Sequence, residues 1–230
     1  MKTDFQQDHP SGFTVVEILV AVVIFSLVMM TLFSSFQAFA TSGDHILSTV
    51  ETNEQARAVF RRIRSDLLAL SVLRPPRYQK PTFNSAPDPF RLAGSQDRVQ
   101  AQPFSRFEFA ALDVLGFTGP VRITYYARED RQGRINLYRS QQPLANQADR
   151  KPDGTDPCRD PLLARGIAQF SLGFVDVDGN AVTEWDSDSE RYGYGLPRII
   201  TVRLSLGDNS RPRIFETSLF IPVTREVPES

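Results

Sequence analysis

The chain has 230 residues, 26 of them basic and 27 acidic, for a formal charge of -1. That balance gives no basic excess for a nucleic-acid surface, and the length suits one ordinary domain beside an N-terminal segment. The single cysteine, Cys158, excludes an intrachain disulfide, and with only two histidines there are too few soft ligands for a zinc site.

Residues 1–12 are polar and carry Lys2, Asp4, Asp8 and His9, with Pro10 shortly before Gly12. The next stretch, Phe13 to Phe36, contains no Pro or Gly and one charge, Glu17. A run of this length can cross a hydrocarbon core as a helix. A carboxylate inside it is costly unless paired or neutralised, which makes Glu17 a candidate functional residue. An ordinary secretory signal has a shorter apolar core followed by a small-residue cleavage site. Here the only good site precedes the core.

After Phe36 the pattern changes. Ile46, Val50, Ala56, Val59, Phe60, Ile63, Leu67 and Leu70 recur at spacings of about three and four, which predicts one apolar stripe on a helix. Arg57, Arg61 and Arg64 fall on the other side. One helix is expected from Phe13 to about Leu73, with a soft point at Gly43 beside Thr41 and Ser42, and Pro75 and Pro76 stopping it. About 60 residues at 1.5 Å each extend roughly 90 Å, so half of this helix must lie outside any membrane. The domain division expected is 1–12, 13–36 and 37–230.

Residues 77–102 lack periodicity and are expected to form an irregular connection. Alternating runs at Phe104–Leu112, Val121–Arg128 and Ile135–Arg139 predict strands, with a turn at Asp130–Gly133. Residues 141–161 read as a polar insertion, and Leu162–Ile167 as a short turn or strand. Gln169–Val177 and Ala181–Trp185 predict a strand pair around Gly179. Ile199–Leu206 and Arg213–Ile221 predict a terminal hairpin around Gly207–Ser210. Its outward face carries Thr201 and Arg203, with Glu216 or Thr217 according to register. The fold class expected is α+β: a long N-terminal helix, first membrane-spanning and then amphipathic, packed on antiparallel β-sheets.

No nucleophile elbow and no Gly-rich phosphate loop are present, so no enzyme is expected and no cofactor. Asp176, Asp178, Asp186, Asp188 and Glu190 could offer oxygen ligands to calcium, but their spacing departs from a calcium loop, and a solvated turn is the more ordinary use of such a run. Tyr192, Tyr194 and Leu196 form a candidate interface patch, with buried packing as the ordinary alternative.

The polar leader, Gly12-Phe13-Thr14, and Glu17 within an apolar helix closely resemble the N-terminus of type IV pilins and type II secretion pseudopilins. The resemblance implies that prepilin peptidase cuts between Gly12 and Phe13 and methylates the new N-terminus, making Glu17 the fifth mature residue. It implies pairing of Glu17 with the N-terminal amine of a neighbouring subunit, with recognition by the peptidase or snorkelling to the membrane interface as the plainer alternatives. It also implies a cytoplasmic leader, a single pass through the bacterial inner membrane and a C-terminal domain in the periplasm. A second resemblance is carried by Leu163, Phe170, Phe174, Asp176, Gly179, Trp185 and Leu196-Pro197. These are similar to the pattern of the minor pseudopilin J family of the type II secretion system, whose fold is a long helix on two antiparallel sheets. It implies a subunit at the pseudopilus tip, with sibling minor pseudopilins I and K, pseudopilin H, the major pseudopilin and the inner-membrane assembly platform as partners. A minor type IV pilin serving assembly, adhesion or DNA uptake is the alternative. A membrane-anchored periplasmic sensor or hydrolase is a third class, against which the Gly12-Phe13-Glu17 arrangement argues.

Overall fold

The computed structural model describes residues 14–74, 77–83, 85–112, 119–144, 155–207 and 212–225, leaving aside the side chains of 38–48. The chain divides into two compact units, Met1–Glu51 and Thr52–Ser230. One helix, α1 (Val15–Leu68), contributes to both. Ile46 and the expected soft point at Gly43 lie outside the described side chains, and the backbone there is helical.

In the first unit, Val15–Gln37 forms a segment of 23 residues with mean hydropathy 2.7, long and apolar enough to cross a membrane. Its side chains are exposed all round. Its hydroxyls are satisfied within the helix. Ser26 Oγ donates to the Val22 carbonyl at 2.7 Å, and Ser34 and Ser35 reach the Met30 and Thr31 carbonyls, each at 2.9 Å. This back-bonding removes the cost of presenting an unpaired hydroxyl to hydrocarbon.

The second unit pairs the rest of α1 with two antiparallel sheets. The strands are β1 (Ala93–Val99), β2 (Gln102–Ala111), β3 (Val121–Glu129), β4 (Ile135–Pro143), β5 (Leu162–Ala164), β6 (Ile167–Val175), β7 (Ala181–Val182), β8 (Trp185–Asp186), β9 (Ile199–Leu206) and β10 (Arg213–Phe220). The larger sheet has the order β5-β4-β3-β2-β1-β8, and the smaller β10-β9-β6-β7. The expected α+β class is therefore what the chain adopts, an arrangement consistent with a pilin-like fold.

Ala56, Val59, Ile63 and Leu67, spaced three or four apart, are buried on one face of α1 and join the core of both sheets. Phe60 is half-buried beside them, whereas Val50 is exposed and does not belong to the stripe. The helix also ends earlier than expected, at Leu68. Beyond it the chain pairs with the end of β2: the Ser71 N–H donates to the Ala110 carbonyl and the Leu112 N–H to the Ala69 carbonyl, both at 2.9 Å. Leu70 is buried in an isolated bridge to Ala111 and does not continue the helical stripe. The sheet offers these backbone groups partners before the prolines are reached.

The strand β1 runs where an irregular connection was expected. Its sequence, AGSQDRV, is polar because most of the strand is exposed. It joins β2 through Gln100 and Ala101, at φ 51° and 64°. That is a two-residue hairpin turn built without the Gly or Asn that usually marks one. The expected strand Ala181–Trp185 is divided: β7 pairs with β6, whereas β8 crosses to pair with β1 in the other sheet. In the terminal hairpin Arg203 lies opposite Glu216, so Glu216 shares the outward face and Thr217 does not. The Arg203 Nε–Glu216 Oε2 distance is 2.7 Å. Residues 208–210 of the expected turn lie outside the described residues.

Phe107 stands 4.9 Å from Phe109 and 6.2 Å from Phe174 by ring centroids, so the aromatic core joins the sheets. Gly94 on β1 is required here, because a Cβ at that position would lie 2.1 Å from Phe174 Cζ. The strands β3 and β4 are buried on both faces. Tyr125 turns towards α1. Its neighbour Tyr126 points the other way, stacks on Tyr138 at 5.6 Å and donates to Asp160 at 2.8 Å. The described end of the polar insertion thus packs on the sheet.

A charge sits on the buried side of α1. Asp66 accepts from Arg139 Nε at 2.6 Å, from Arg139 Nη2 at 3.1 Å and from the Tyr125 hydroxyl. Both Asp66 and Arg139 are 4% exposed. Arg139 Nη1 donates to Gln141 at 2.6 Å, and Arg62 Nε stands 3.3 Å from Asp66 without hydrogen-bond geometry. Removing one partner strands the other charge in the core, so Asp66→Ala should destabilise the body by about 3–5 kcal/mol. Leu67→Asp should cost several kcal/mol, roughly, by placing an unpaired carboxylate in the apolar core. Chemical unfolding of a chain beginning near Gly43 checks both, and unchanged midpoints would contradict this packing.

The tyrosines make a second expectation. Burial pushes the Tyr125, Tyr126 and Tyr78 hydroxyls up, aided by Asp66, Asp160 and Asp188 respectively. Folded values above the unfolded one mean stability is intact below about pH 10 and falls as pH rises through the folded values. Tyrosinate absorbance and unfolding monitored together should show ionisation of these groups delayed until the fold is lost.

Candidate functional site

The start of α1 is a cap built by two residues. The Thr14 backbone N–H donates to Glu17 Oε2 at 3.0 Å, and the Thr14 hydroxyl donates to the same oxygen at 3.1 Å. In return the Glu17 N–H points at Thr14 Oγ1, 3.3 Å away. This is a capping box of the form T-x-x-E: it satisfies orphan amides of the first turn and sets an anion at the positive end of the helix dipole. Glu17 is exposed, so its carboxylate remains accessible to a further donor. Gly12 and Phe13, the expected processing residues, lie outside the described residues.

Residues 9–33 match the family described as the prokaryotic N-terminal methylation motif, which spans Gly12, Phe13 and Glu17. No curated protein matches the chain. The N-terminal segment is therefore a prepilin-type signal, the class of sequence that prepilin peptidase processes, followed by a helix able to serve as a membrane anchor.

The expected interface patch is only partly on the surface. Leu196 is buried in the core, which removes it from any contact surface. Tyr192 is half-buried, in a short 3-10 turn (Glu190–Tyr192), and stacks on Trp185 at 4.6 Å. Trp185 Nε1 donates to the Gly195 carbonyl at 3.1 Å. Tyr194 adopts φ 55°, and its carbonyl accepts from Arg225 Nε at 2.8 Å. Trp185 and Tyr192 border an open cleft of about 660 Å³. Three of the charges around it form one group: Arg91 lies 2.6 Å from Glu108 and 3.4 Å from Asp186.

The structure does not bring the five carboxylates together as one site. Asp176 closes the β6–β7 turn, accepting from the Asn180 side chain at 2.9 Å and from the Asn180 and Asp178 amides at 2.8 and 2.9 Å. These bonds, the Asn180 side chain first, hold its carboxyl below the usual carboxylate range. Asp178 and Glu190 are exposed. Asp186 accepts from the Asp188 amide at 2.9 Å and faces Arg91. Asp188 is buried and accepts from the Tyr78 hydroxyl at 2.8 Å and the Asp88 amide at 2.9 Å. Among the described residues no three or more His, Cys, Asp or Glu gather where they could hold a metal.

Asp188 belongs instead to a buried network absent from the sequence reading. Arg225, also buried, donates to Asp88 at 3.3 Å and to the Ser187 carbonyl, and its guanidinium lies 3.7 Å from the Tyr78 ring centroid. The network ties the segment before β1 and the end of the chain to the β8 loop. Its bonds join residues far apart in sequence, 100 apart for Asp88 and Asp188 and 137 apart for Asp88 and Arg225. No local pattern could have found them. Asp66 did carry a signal, being a carboxylate three residues beyond Ile63 on the apolar stripe. Asp188→Ala should cost about 2–3 kcal/mol by orphaning the buried Tyr78 hydroxyl and the half-buried Asp88 amide. Calcium should leave the melting temperature of the wild-type body unchanged, and a calcium-dependent rise would contradict the account of these carboxylates.

Proposed function

We propose that the chain is a minor pseudopilin, a structural subunit at the tip of a type II secretion pseudopilus that helps to start its assembly and to export folded proteins. The observation that carries the proposal is the prepilin-type signal at 9–33, joined through one helix to an antiparallel β body. In this reading prepilin peptidase cuts after Gly12 and methylates Phe13. Val15–Gln37 holds the protein in the inner membrane, and the body lies in the periplasm. The protein acts by assembly and has no catalytic role.

Support for the J type is narrower. Of the residues that carry that resemblance, Phe170, Phe174, Trp185 and Leu196 are buried, so they speak for a shared core more than for a shared partner. The proposed partners are the minor pseudopilins I and K, with H, the major pseudopilin and the inner-membrane assembly platform. The minor type IV pilin reading shares the N-terminal signal and differs in its partners.

Glu17 is proposed to set axial register by pairing with the N-terminal amine of a neighbouring subunit. A carboxylate among packed apolar helices needs an opposite charge, and Glu17 keeps its accessibility while capped by Thr14. A Glu17→Gln chain should insert and be cut normally, yet crosslink poorly to siblings and support little secretion. Wild-type crosslinking would refute the pairing, and failure at cleavage would assign Glu17 to peptidase recognition. For the chain itself, intact mass from membranes should give a methylated N-terminus at Phe13. Co-purification with I and K should succeed, whereas long homopolymers indifferent to them would point to a major pilin.

A further inference from the structure

The four sheet ends differ in how they are protected. Natural sheets blunt their edges with short strands, charges or bulges, because an open edge recruits other chains. Three of the ends here are β5, β7 and β8, of three, two and two residues. The fourth is β10, eight residues long, paired with β9 in an unbroken register. It contains no Pro, and Ile214 and Phe220 are each 65% exposed along it.

Beside β10 lies a groove of about 750 Å³ between residues 217–222 and the second-unit part of α1. Its helix side carries Arg57, Arg61 and Arg64, spaced to share one face. Arg57 faces Glu54 at 3.3 Å. Arg61 and Arg64 have no partner among the described residues, while Arg62 turns away to Asp66. The apolar side of the groove is Phe60, Leu68 and Leu219. An open strand edge, an apolar floor and a row of guanidinium groups call for one kind of occupant: an extended backbone with apolar and acidic side chains. A second copy fits badly, since symmetric pairing of β10 with itself would bring two arginine rows together.

We propose that β10 and this groove receive an acidic, extended segment of a different protein, which adds a strand to the smaller sheet and sets its carboxylates against Arg61 and Arg64. Backbone hydrogen bonds along the edge supply affinity, and the arginines select for charge. The inference rests on the proposed function only in identifying that protein as a neighbouring subunit of the assembly.

The test uses the full chain in lipid nanodiscs and a synthetic peptide of about ten residues, alternating glutamate and valine, enough to span β10. The peptide should bind, its lysine counterpart should not, and hydrogen exchange should slow across residues 213–220 on binding. The exposed pair Arg61→Glu and Arg64→Glu, with melting temperature unchanged, should weaken binding about tenfold or more, and added salt should weaken binding to the wild type. Equal binding of both peptides, no binding of the acidic one, or binding without protection of β10 would overturn the proposal. Protection of β10 that grows with protein concentration in the absence of peptide would assign the edge to a second copy and overturn it too. A chain cut after Gly12 that ignores the peptide defeats this inference and leaves the proposed function standing; a chain that binds the peptide but is never cut does the reverse.

Discussion

The join between α1 and the larger sheet depends on an ion pair taken out of water. Asp66 and Arg139 meet at 2.6 Å with 4% exposure each. Burying two charges carries a desolvation penalty that mutual attraction offsets only when the remaining donors and acceptors are satisfied. Here the Tyr125 hydroxyl and Gln141 supply the additional bonds. The pair adds a directional constraint to an apolar stripe that is otherwise free to slide, because Ala56, Val59, Ile63 and Leu67 can pack against a sheet in several rotations of the helix. Asp66 is satisfied where Arg139 can reach it. The helix therefore enters the body in a defined rotation.

A second polar network lies beside β8. Arg225, Asp88, Asp188 and Tyr78 gather one segment from before β1, one from the β8 loop and one from the end of the chain. Strand pairing between these segments is short, since β8 contributes only two residues to the larger sheet and one further backbone bond, from the Ser187 N–H to the Leu92 carbonyl at 2.9 Å, extends it. Side-chain bonds reinforce that short ladder and add the segment around Arg225 to it. The aromatic layer between the sheets, Phe107 against Phe174 against Trp185, is continuous with this corner.

How much of this was legible in the sequence follows from the range of each interaction. The apolar helix, the stripe, the hairpin of β3 and β4 and the pair of β9 and β10 rest on local periodicity, and the sequence shows them. The strand β1 was hidden because exposure on both faces erases alternation, and because Gln100 and Ala101 make a turn that usually calls for Gly or Asn. The early end of α1 was hidden because its cause is a strand nearly 40 residues further along, and the prolines offered a nearer explanation. At the candidate site, Glu17 is legible as a charge in an apolar run, and the T-x-x-E spacing from Thr14 is the local signal of its cap. The acidic run was misleading in the opposite sense: closeness in sequence did not mean a common pocket, since Asp176 and Asp188 end up serving different sheets.

The back-bonded hydroxyls of Ser26, Ser34 and Ser35 bear on how the span meets other helices. Each already gives its hydrogen to its own backbone. A neighbouring helix would then meet a surface without an uncommitted hydroxyl proton, and its packing there would rest on dispersion contacts. Along such a surface these hydroxyls offer no polar contact that would fix the position of one helix against another.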